Sequence, residues 1–300
     1  MRCDLHVHSK YSGPVDIPVL GRFARECYSE PEAVYEAARR RGMDLVTITD
    51  HDTVEGALRL LGRPDFFAGE EVTCVLEDDR SLHLGVFDID EAQHEQIARR
   101  RRDPEALIAF LSEQRIPACV NHLFSPLTGR RRIADFHFAL GALPLIETQN
   151  GMMPDASNEC ARRAARASGL AEIGGSDGHT LAAVARAFTT VPRARSREDF
   201  LAGLRQGLTV PGGRSGSYAR LTADVLRIFR GAYAEAAQRA LAAEPLGALA
   251  LLALGAALPL AALVPLVTVA NFLKERLWAD AAFARYRASL AASQTAAEAA

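Results

Sequence analysis

Short apolar runs alternate with amphipathic stretches from the first residue to about Pro211. This pattern is typical of βα units, in which helices cover a parallel sheet or barrel. The predicted strands are residues 3–7, 45–49, 66–74, 82–87, 118–121, 145–148 and 171–174. The expected fold class is therefore α/β, with any functional site at the carboxyl ends of the strands.

Polar residues and glycines between the runs predict where helices begin and end. Ser29 and Glu32 form a capping-box pattern, and Gly42 follows a predicted helix over 30–41. Similar signals predict helices over residues 104–114, 155–168 and 196–207. Their alternation with the strands favours a (β/α) barrel.

The composition changes after Pro211, where the Gly- and Ser-rich residues 212–217 predict a loop that leaves the globular part. We therefore predict one domain over 1–215 and a basic helical connector over 216–244. Arginines of this connector would suit an anionic membrane surface: Arg220, Arg227, Arg230 and Arg239. An Ala-rich tail would occupy 274–300.

Residues 245–273 carry no charge and consist mainly of Leu, Ala and Val. About 20 such residues suffice to cross a bilayer. The stretch therefore predicts a transmembrane helix, and the alternative is a helix buried in a core or dimer interface. Basic residues flank the stretch on both sides and do not fix its orientation.

Charge and cysteine content narrow the class of protein. A net charge of -2 argues against a surface that binds nucleic acid broadly. The 5 cysteines show no paired spacing, which favours reduced thiols, and the N-terminus has no signal-peptide pattern. We therefore expect a membrane-anchored protein with its catalytic domain in the cytoplasm, or a soluble cytoplasmic protein if 245–273 is a buried helix.

Two histidines, His6 and His8, stand two positions apart at the end of the first predicted strand. In a strand these positions share a face. Two neighbouring imidazoles make half of a site for Zn, Mn or Fe, although alone they fit two hydrogen-bonded polar histidines equally well.

Other strand ends also carry potential metal ligands. These are Asp50, His51, Asp52, Glu70, Glu71, His83, His122, Asp177 and His179. Among the 8 histidines, just His94 and His137 lie away from a predicted strand end. Several imidazoles and carboxylates that converge in this way predict a multinuclear hydrolytic site.

As a set, these motifs resemble the PHP domain, named for polymerase and histidinol phosphatase, a family of metal-dependent phosphoesterases. The resemblance covers about residues 1–215. It rests on His6-Val7-His8, Thr47-Ile48-Thr49-Asp50-His51-Asp52-Thr53, Gly69-Glu70-Glu71-Val72, His83, Asn121-His122 and Gly175-Ser176-Asp177-Gly178-His179. It implies a distorted (β/α)7 barrel, which the helical C-terminal segment with its transmembrane helix would follow.

The resemblance implies a first metal ion bound by His6, His8 and Asp177. A glutamate would bridge this ion to a second one, and the register of the motif favours Glu71 over Glu70.

The second ion would also be bound by His83 and His122, and a third by His51, His179 and an aspartate that follows the first motif. The chain departs from the family pattern at that aspartate, where the nearest carboxylate is Asp16. The resemblance therefore implies two or three divalent ions of Mn, Zn or Fe.

By the same resemblance, a metal-bridging hydroxide would attack phosphorus, and His51, Asp177 and His179 would be the catalytic residues. A third metal or His179 would assist the leaving group. Four further side chains would orient ligands from behind, namely Asp50, Asp52, Glu147 and Asn150, with Glu147 also a candidate ligand.

Three consecutive arginines, Arg130, Arg131 and Arg132, lie in the loop after the fifth predicted strand. They would receive the substrate phosphate bidentately, or they form a solvated loop.

The predicted function is hydrolysis of a phosphoester, with a small phosphorylated compound or a nucleic-acid end as substrate and no stable nucleic-acid complex. The alternative is a catalytically weak, membrane-tethered regulatory module that binds metal or phosphate. An amidohydrolase is disfavoured because its metal-bridging lysine has no counterpart: the two lysines, Lys10 and Lys274, lie away from internal strand ends.

Overall fold

The computed structural model describes residues 1–14, 24–126, 129, 131–242, 247–249, 251–252, 255–256 and 261–298. Within these residues the strands form two sheets. The first, in the order β2-β1-β8-β9, contains β1 (Arg2–Asp4), β2 (Leu45–Val46), β8 (Ala187–Thr190) and β9 (Val210–Gly213). The second, in the order β3-β4-β5-β6-β7, contains β3 (Gly69–Val75), β4 (Ser81–Phe87), β5 (Ala118–Val120), β6 (Leu145–Asn150) and β7 (Ala171–Gly175).

Helices cover both sheets and extend to the C-terminal part. They are α1 (Pro31–Arg40), α2 (Glu55–Leu58), α3 (Glu91–Arg100), α4 (Pro104–Glu113), α5 (Ile133–Ala142), α6 (Asp155–Ser168), α7 (Arg197–Arg205), α8 (Tyr218–Leu241) and α9 (Val264–Glu298). Helices α5, α6 and α9 pack on the apolar side of the second sheet, where they share one core.

The expected (β/α)7 barrel is wrong, because the described strands form two sheets that do not close into one barrel. Residues 76–80 join β3 to β4, which pair antiparallel. A parallel return needs a connection of about a dozen residues or more. The sheets approach each other at isolated bridges, which join His51 to Glu71 and Val7 to Gly178.

Strands β8 and β9 were not predicted from the sequence. Each has 4 residues, and both are antiparallel additions to the first sheet. Pro211, Gly212 and Gly213 lie within β9 although these residue types predict a loop. A strand at the edge of a sheet tolerates proline because one side of its backbone is unpaired.

The helix signals were largely accurate. Asp103 and Ser196 accept hydrogen bonds from backbone amides of α4 and α7, and Gly169 ends α6 with a φ of 67°. The capping box predicted for α1 is wrong, because the residue before this helix is Glu30 and its side chain makes no capping bond. Pro31 instead occupies the first turn, where no amide donor is needed.

The expected transmembrane helix over 245–273 is also wrong. Among the described residues, no helix combines the length and the apolar character that a membrane span requires. The end of the predicted span is the start of α9, which continues through Lys274, Glu275 and Arg276. Residues 245–246, 250, 253–254 and 257–260 lie outside the described residues.

Helix α9 packs against the preceding part of the chain. Its buried apolar residues include Ala279, Ala282, Phe283 and Tyr286. Thr268, inside the predicted membrane span, is buried and its hydroxyl lies 2.7 Å from that of Thr222 on α8. Hydropathy predicted the wrong surroundings because an uncharged helical stretch has the same composition beside lipid and beside protein.

Candidate metal centre

The predicted ligands converge where the two sheets meet. Four groups of side chains each place their donor atoms within 4.8 Å of one another. The groups are His6, His8 and Asp177; His6, Glu71 and His122; His51, Glu71 and His83; and His8, His51 and His179.

Glu71 lies at the centre of this cluster. Its carboxylate oxygens are 3.1 Å from the Nε2 atoms of His6 and His122, and 3.2 Å from the Nδ1 atoms of His51 and His83. The side chain is buried, and Asn121 Nδ2 donates a hydrogen bond to Oε1.

The preceding residue faces the other way. Successive side chains of a strand point to opposite faces, and Glu70 accordingly lies 2.7 Å from His94 Nδ1. The structure therefore places Glu71, and not Glu70, among the histidines.

Two supporting side chains orient the buried half of the cluster. His6 Nδ1 lies 2.9 Å from Glu147 Oε1, which directs the other ring nitrogen towards Glu71. Asn150 donates to Glu147 Oε2 at 2.9 Å and to Asp177 Oδ2 at 3.2 Å. Such carboxylate–histidine contacts behind a donor atom fix the tautomer and orientation of metal-binding histidines.

The backbone around the cluster adopts conformations that are unfavourable for residues other than glycine. Asp177 and His122 have positive φ values of 52° and 27°. A Cβ at Gly175 would lie 2.3 Å from His6 Cβ, so glycine allows the end of β7 to approach β1. Strain of this kind concentrates at functional sites.

One acidic residue of the cluster was not predicted. Glu26 Oε2 lies 3.3 Å from His51 Nε2 and 3.8 Å from His179 Nε2. Asp16, the carboxylate predicted there, lies outside the described residues. No periodic pattern marks Glu26, and only a search of every carboxylate between the first motif and α1 would have included it.

Two predicted supports have different contacts. Asp50 accepts hydrogen bonds from the amide and the hydroxyl of Ser9, both at 2.6 Å. Asp52 accepts from the amide of Thr73 at 2.8 Å and pairs with Arg101. Within the described residues, neither carboxylate hydrogen bonds to the ring of His51, so both hold the chain around the site instead.

The arginines after β5 are engaged in structural contacts. Arg131 is buried and donates to the Ser125 carbonyl oxygen at 2.7 Å. Arg132 pairs with Asp78 at the surface. Arg130 lies outside the described residues. The contacts of the two described arginines differ from the predicted phosphate-binding role because the chain folds back to form α5.

Burial and charge compete in setting the protonation of the cluster. Burial alone lowers the pKa of His51, but the carboxylates of Glu71 and Glu26 outweigh it and raise this pKa to about 9. Burial raises the pKa of Glu71, but the surrounding imidazoles hold it well below its ordinary range. Burial, together with the charge of His179, lowers the pKa of His8 to about 3. Without metal, the cluster thus holds protons that a metal would displace.

The residues fit divalent metal ions. His8 Nε2 and Glu26 Oε2 are buried and have no hydrogen-bond partner among the described residues. The ring of His8 lies 4.3 Å from that of His179 and 4.7 Å from that of His51, measured between centroids. Imidazole nitrogens and carboxylate oxygens packed in this way are a donor set for divalent transition metals.

Two sequence comparisons bear on this site. A family model described as PHP-associated matches residues 155–209, which include β7 and end just short of β9. An uncharacterized protein of Methanocaldococcus jannaschii is 29% identical over 133 residues, which are 42% of this chain and 70% of that protein.

Solved structures share the fold at low identity. A two-domain protein of Bacteroides vulgatus that contains a predicted PHP-like metal-dependent phosphoesterase matches with a TM-score of 0.53 and 17% identity, over 71% of this chain and 65% of that one. This chain thus spans less than two thirds of that protein. PsfC from Pseudomonas syringae matches with a TM-score of 0.53 and 17% identity, over 76% of this chain and 97% of that one.

Proposed function

We propose that the chain belongs to the PHP domain family and that it hydrolyses a phosphoester with the help of divalent metal ions. The observation that carries the proposal is the position of Glu71, whose two oxygens face four imidazoles. A buried carboxylate shared in this way suits a site that holds neighbouring ions.

The buried half of the cluster would hold the ions. His6, His8, Glu71 and Asp177 are almost completely buried, and Glu147 and Asn150 fix two of them from behind. Divalent ions bound there would activate water and withdraw charge from the phosphoryl oxygens.

The substrate would approach from the other side, where His51, His83 and His179 are partly exposed. His179 Nδ1 lies 3.0 Å from the Asp177 carbonyl oxygen, so its Nε2 is the atom that can present a proton to the leaving oxygen. Burial lowers the pKa of His179, but its interaction with Glu26 outweighs this and raises the pKa, which favours the protonated ring.

Two neighbouring substitutions test the proposal. Glu71→Gln removes the central charge, and we expect the loss of bound metal and a fall of about 10³ in kcat for bis(4-nitrophenyl) phosphate or 4-nitrophenyl phosphate. Glu70→Gln is the matched control, because its side chain lies on the opposite face of β3, and it should retain metal and activity.

Metal content by elemental analysis and initial rates on the full chain are the measurements. A Glu71→Gln protein that keeps both metal and activity would overturn the proposal. A metal-loaded wild type that cleaves neither ester would favour the alternative function, a catalytically weak module that binds metal or phosphate.

A further inference from the structure

A cavity opens beside the candidate metal centre. Its volume is about 640 Å³, and it is lined by His179 and Thr180 on one side and by Arg227 and Arg230 of α8 on the other. Cavities of roughly 300 to 1,000 Å³ are typical of small-molecule sites. His179 is shared by the cavity and the histidine cluster, so a ligand in the cavity would reach the cluster.

Close contacts hold the wall formed by α8 in place. Asp224 is buried, accepts a hydrogen bond from the Thr180 hydroxyl at 2.8 Å and pairs with Arg186. At Gly231, a Cβ would lie 2.7 Å from the ring of Tyr28, so the helix backbone touches this ring directly. The cavity is therefore a preformed feature of the fold.

The cavity carries a positive charge that the surrounding residues do not balance. Arg227 donates to Asp224 at 2.9 Å, but Asp224 also accepts hydrogen bonds from Arg186. Arg230 is exposed and makes neither a hydrogen bond nor an ion pair with any other described residue. The acidic residue of the lining, Glu30, is paired with Lys10 at 2.8 Å.

Apolar side chains form most of the remaining wall, including Leu181 and Ile228. We propose that this cavity binds the leaving group of the substrate. Arg230 would select phosphoesters whose leaving group combines an apolar part with a negatively charged group. The inference rests on the proposed function and adds a substrate class to it. A guanidinium and a carboxylate or phosphate form bidentate, charge-assisted hydrogen bonds.

A pair of matched esters tests this selectivity. Phenyl phosphate and 4-carboxyphenyl phosphate differ in one carboxylate. We expect the wild type to prefer the second in kcat/KM, and Arg230→Gln to reduce the ratio of the two values about tenfold, as the loss of one hydrogen bond to a charged group would. Arg239→Gln, on the same helix but not in the cavity lining, should leave the ratio unchanged.

Binding of the two corresponding phosphonates, which cannot be cleaved, separates this inference from the proposed function. Isothermal titration of the metal-loaded full chain should show tighter binding of 4-carboxyphenylphosphonate than of phenylphosphonate, and Arg230→Gln should remove the difference. Selective binding without turnover would contradict the proposed function and support the cavity as a binding site. Turnover or binding of the two compounds without a preference would overturn the inference alone. A ratio in Arg230→Gln equal to that of the wild type would also overturn the inference alone. The absence of both binding and turnover would overturn the inference and the proposed function.

Discussion

The histidine cluster and the C-terminal helices build neighbouring parts of one site in different ways. In the cluster, each contributing side chain is itself a potential ligand, as Glu71 and His8 are. In α8 and α9, one buried carboxylate per helix contacts a site loop. Asp224 accepts from Thr180, next to His179, and Glu275 accepts from Ser125 at 2.7 Å, three residues after His122.

The difference shows which information is local in a sequence. Its residue type and its position at a strand end together mark a histidine as a candidate ligand. A single aspartate on a helix does not indicate a supporting role until its partners are known. Besides Arg227 on the same helix, Asp224 contacts Thr180 and Arg186, which lie about 40 residues earlier in the chain. The C-terminal helices thus support the site through contacts that the sequence does not mark.

The largest effect that would test this comparison comes from Asp224→Asn. The substitution leaves Arg186, which is mostly buried, without its charged partner. We expect a loss of about 3 kcal/mol in the free energy of unfolding, since breaking a buried pair from one side is strongly destabilising. Urea denaturation of the metal-free protein is the measurement.

The matched control on the same helix is Glu235→Gln. Glu235 pairs with Arg25 at the surface at 3.3 Å, and exposed pairs contribute about 1 kcal/mol or less. Equal effects of the two substitutions would mean that α8 is not held by Asp224, and the proposed contrast between cluster and helices would fail.

Much of the architecture could be predicted because its signals are local. The structure contains a strand within or overlapping each predicted run, and it brings His6, His8, His51, Glu71 and Asp177 together. Their roles as ligands remain a prediction. Each side chain could be found because residue type and strand end are both visible in a few consecutive residues.

The errors share a different cause. Whether sheets close into a barrel depends on strand pairing across the chain. Strands β8 and β9 are antiparallel additions that the alternation of strands and helices does not predict. Glu26 reaches His51 through a tertiary contact within a segment that has no periodic pattern. The uncharged stretch 245–273 specifies an apolar neighbour without specifying which one.

A smaller effect, confined to the cluster, is the pH dependence of the metal-free protein. His51 has a pKa of about 9 in the fold, above its ordinary value, so its stabilising contribution is complete below pH 6.5 and is lost as the pH rises towards 9. The pKa of His6 is raised as well, because the nearby carboxylates outweigh the effect of burial.

We therefore expect the Tm of the metal-free protein to fall between pH 6.5 and 9, and metal affinity to rise about tenfold per pH unit for each proton displaced. Saturating Mn²⁺ should largely remove this dependence of Tm. His94, whose pKa is also raised, lies outside the cluster and contributes equally with and without metal, so the difference between the two profiles reports on the cluster. Parallel profiles would show that metal does not displace these protons.

The smallest effect is expected for Glu275→Gln. This substitution distinguishes the contact that α9 makes with the site from the contact that α8 makes. Glu275 is buried like Asp224, but its Oε2 has no hydrogen-bond partner among the described residues, and burial raises its pKa. Glutamine keeps an acceptor for Ser125 and removes a buried charge that is poorly compensated, so the two changes oppose each other. We expect the free energy of unfolding at pH 7 to change by less than about 1 kcal/mol. If Glu275→Gln instead lowers metal content as Glu71→Gln should, then α9 holds the loop of His122 in its metal-binding conformation, and the cluster and the C-terminal helices form one cooperative unit.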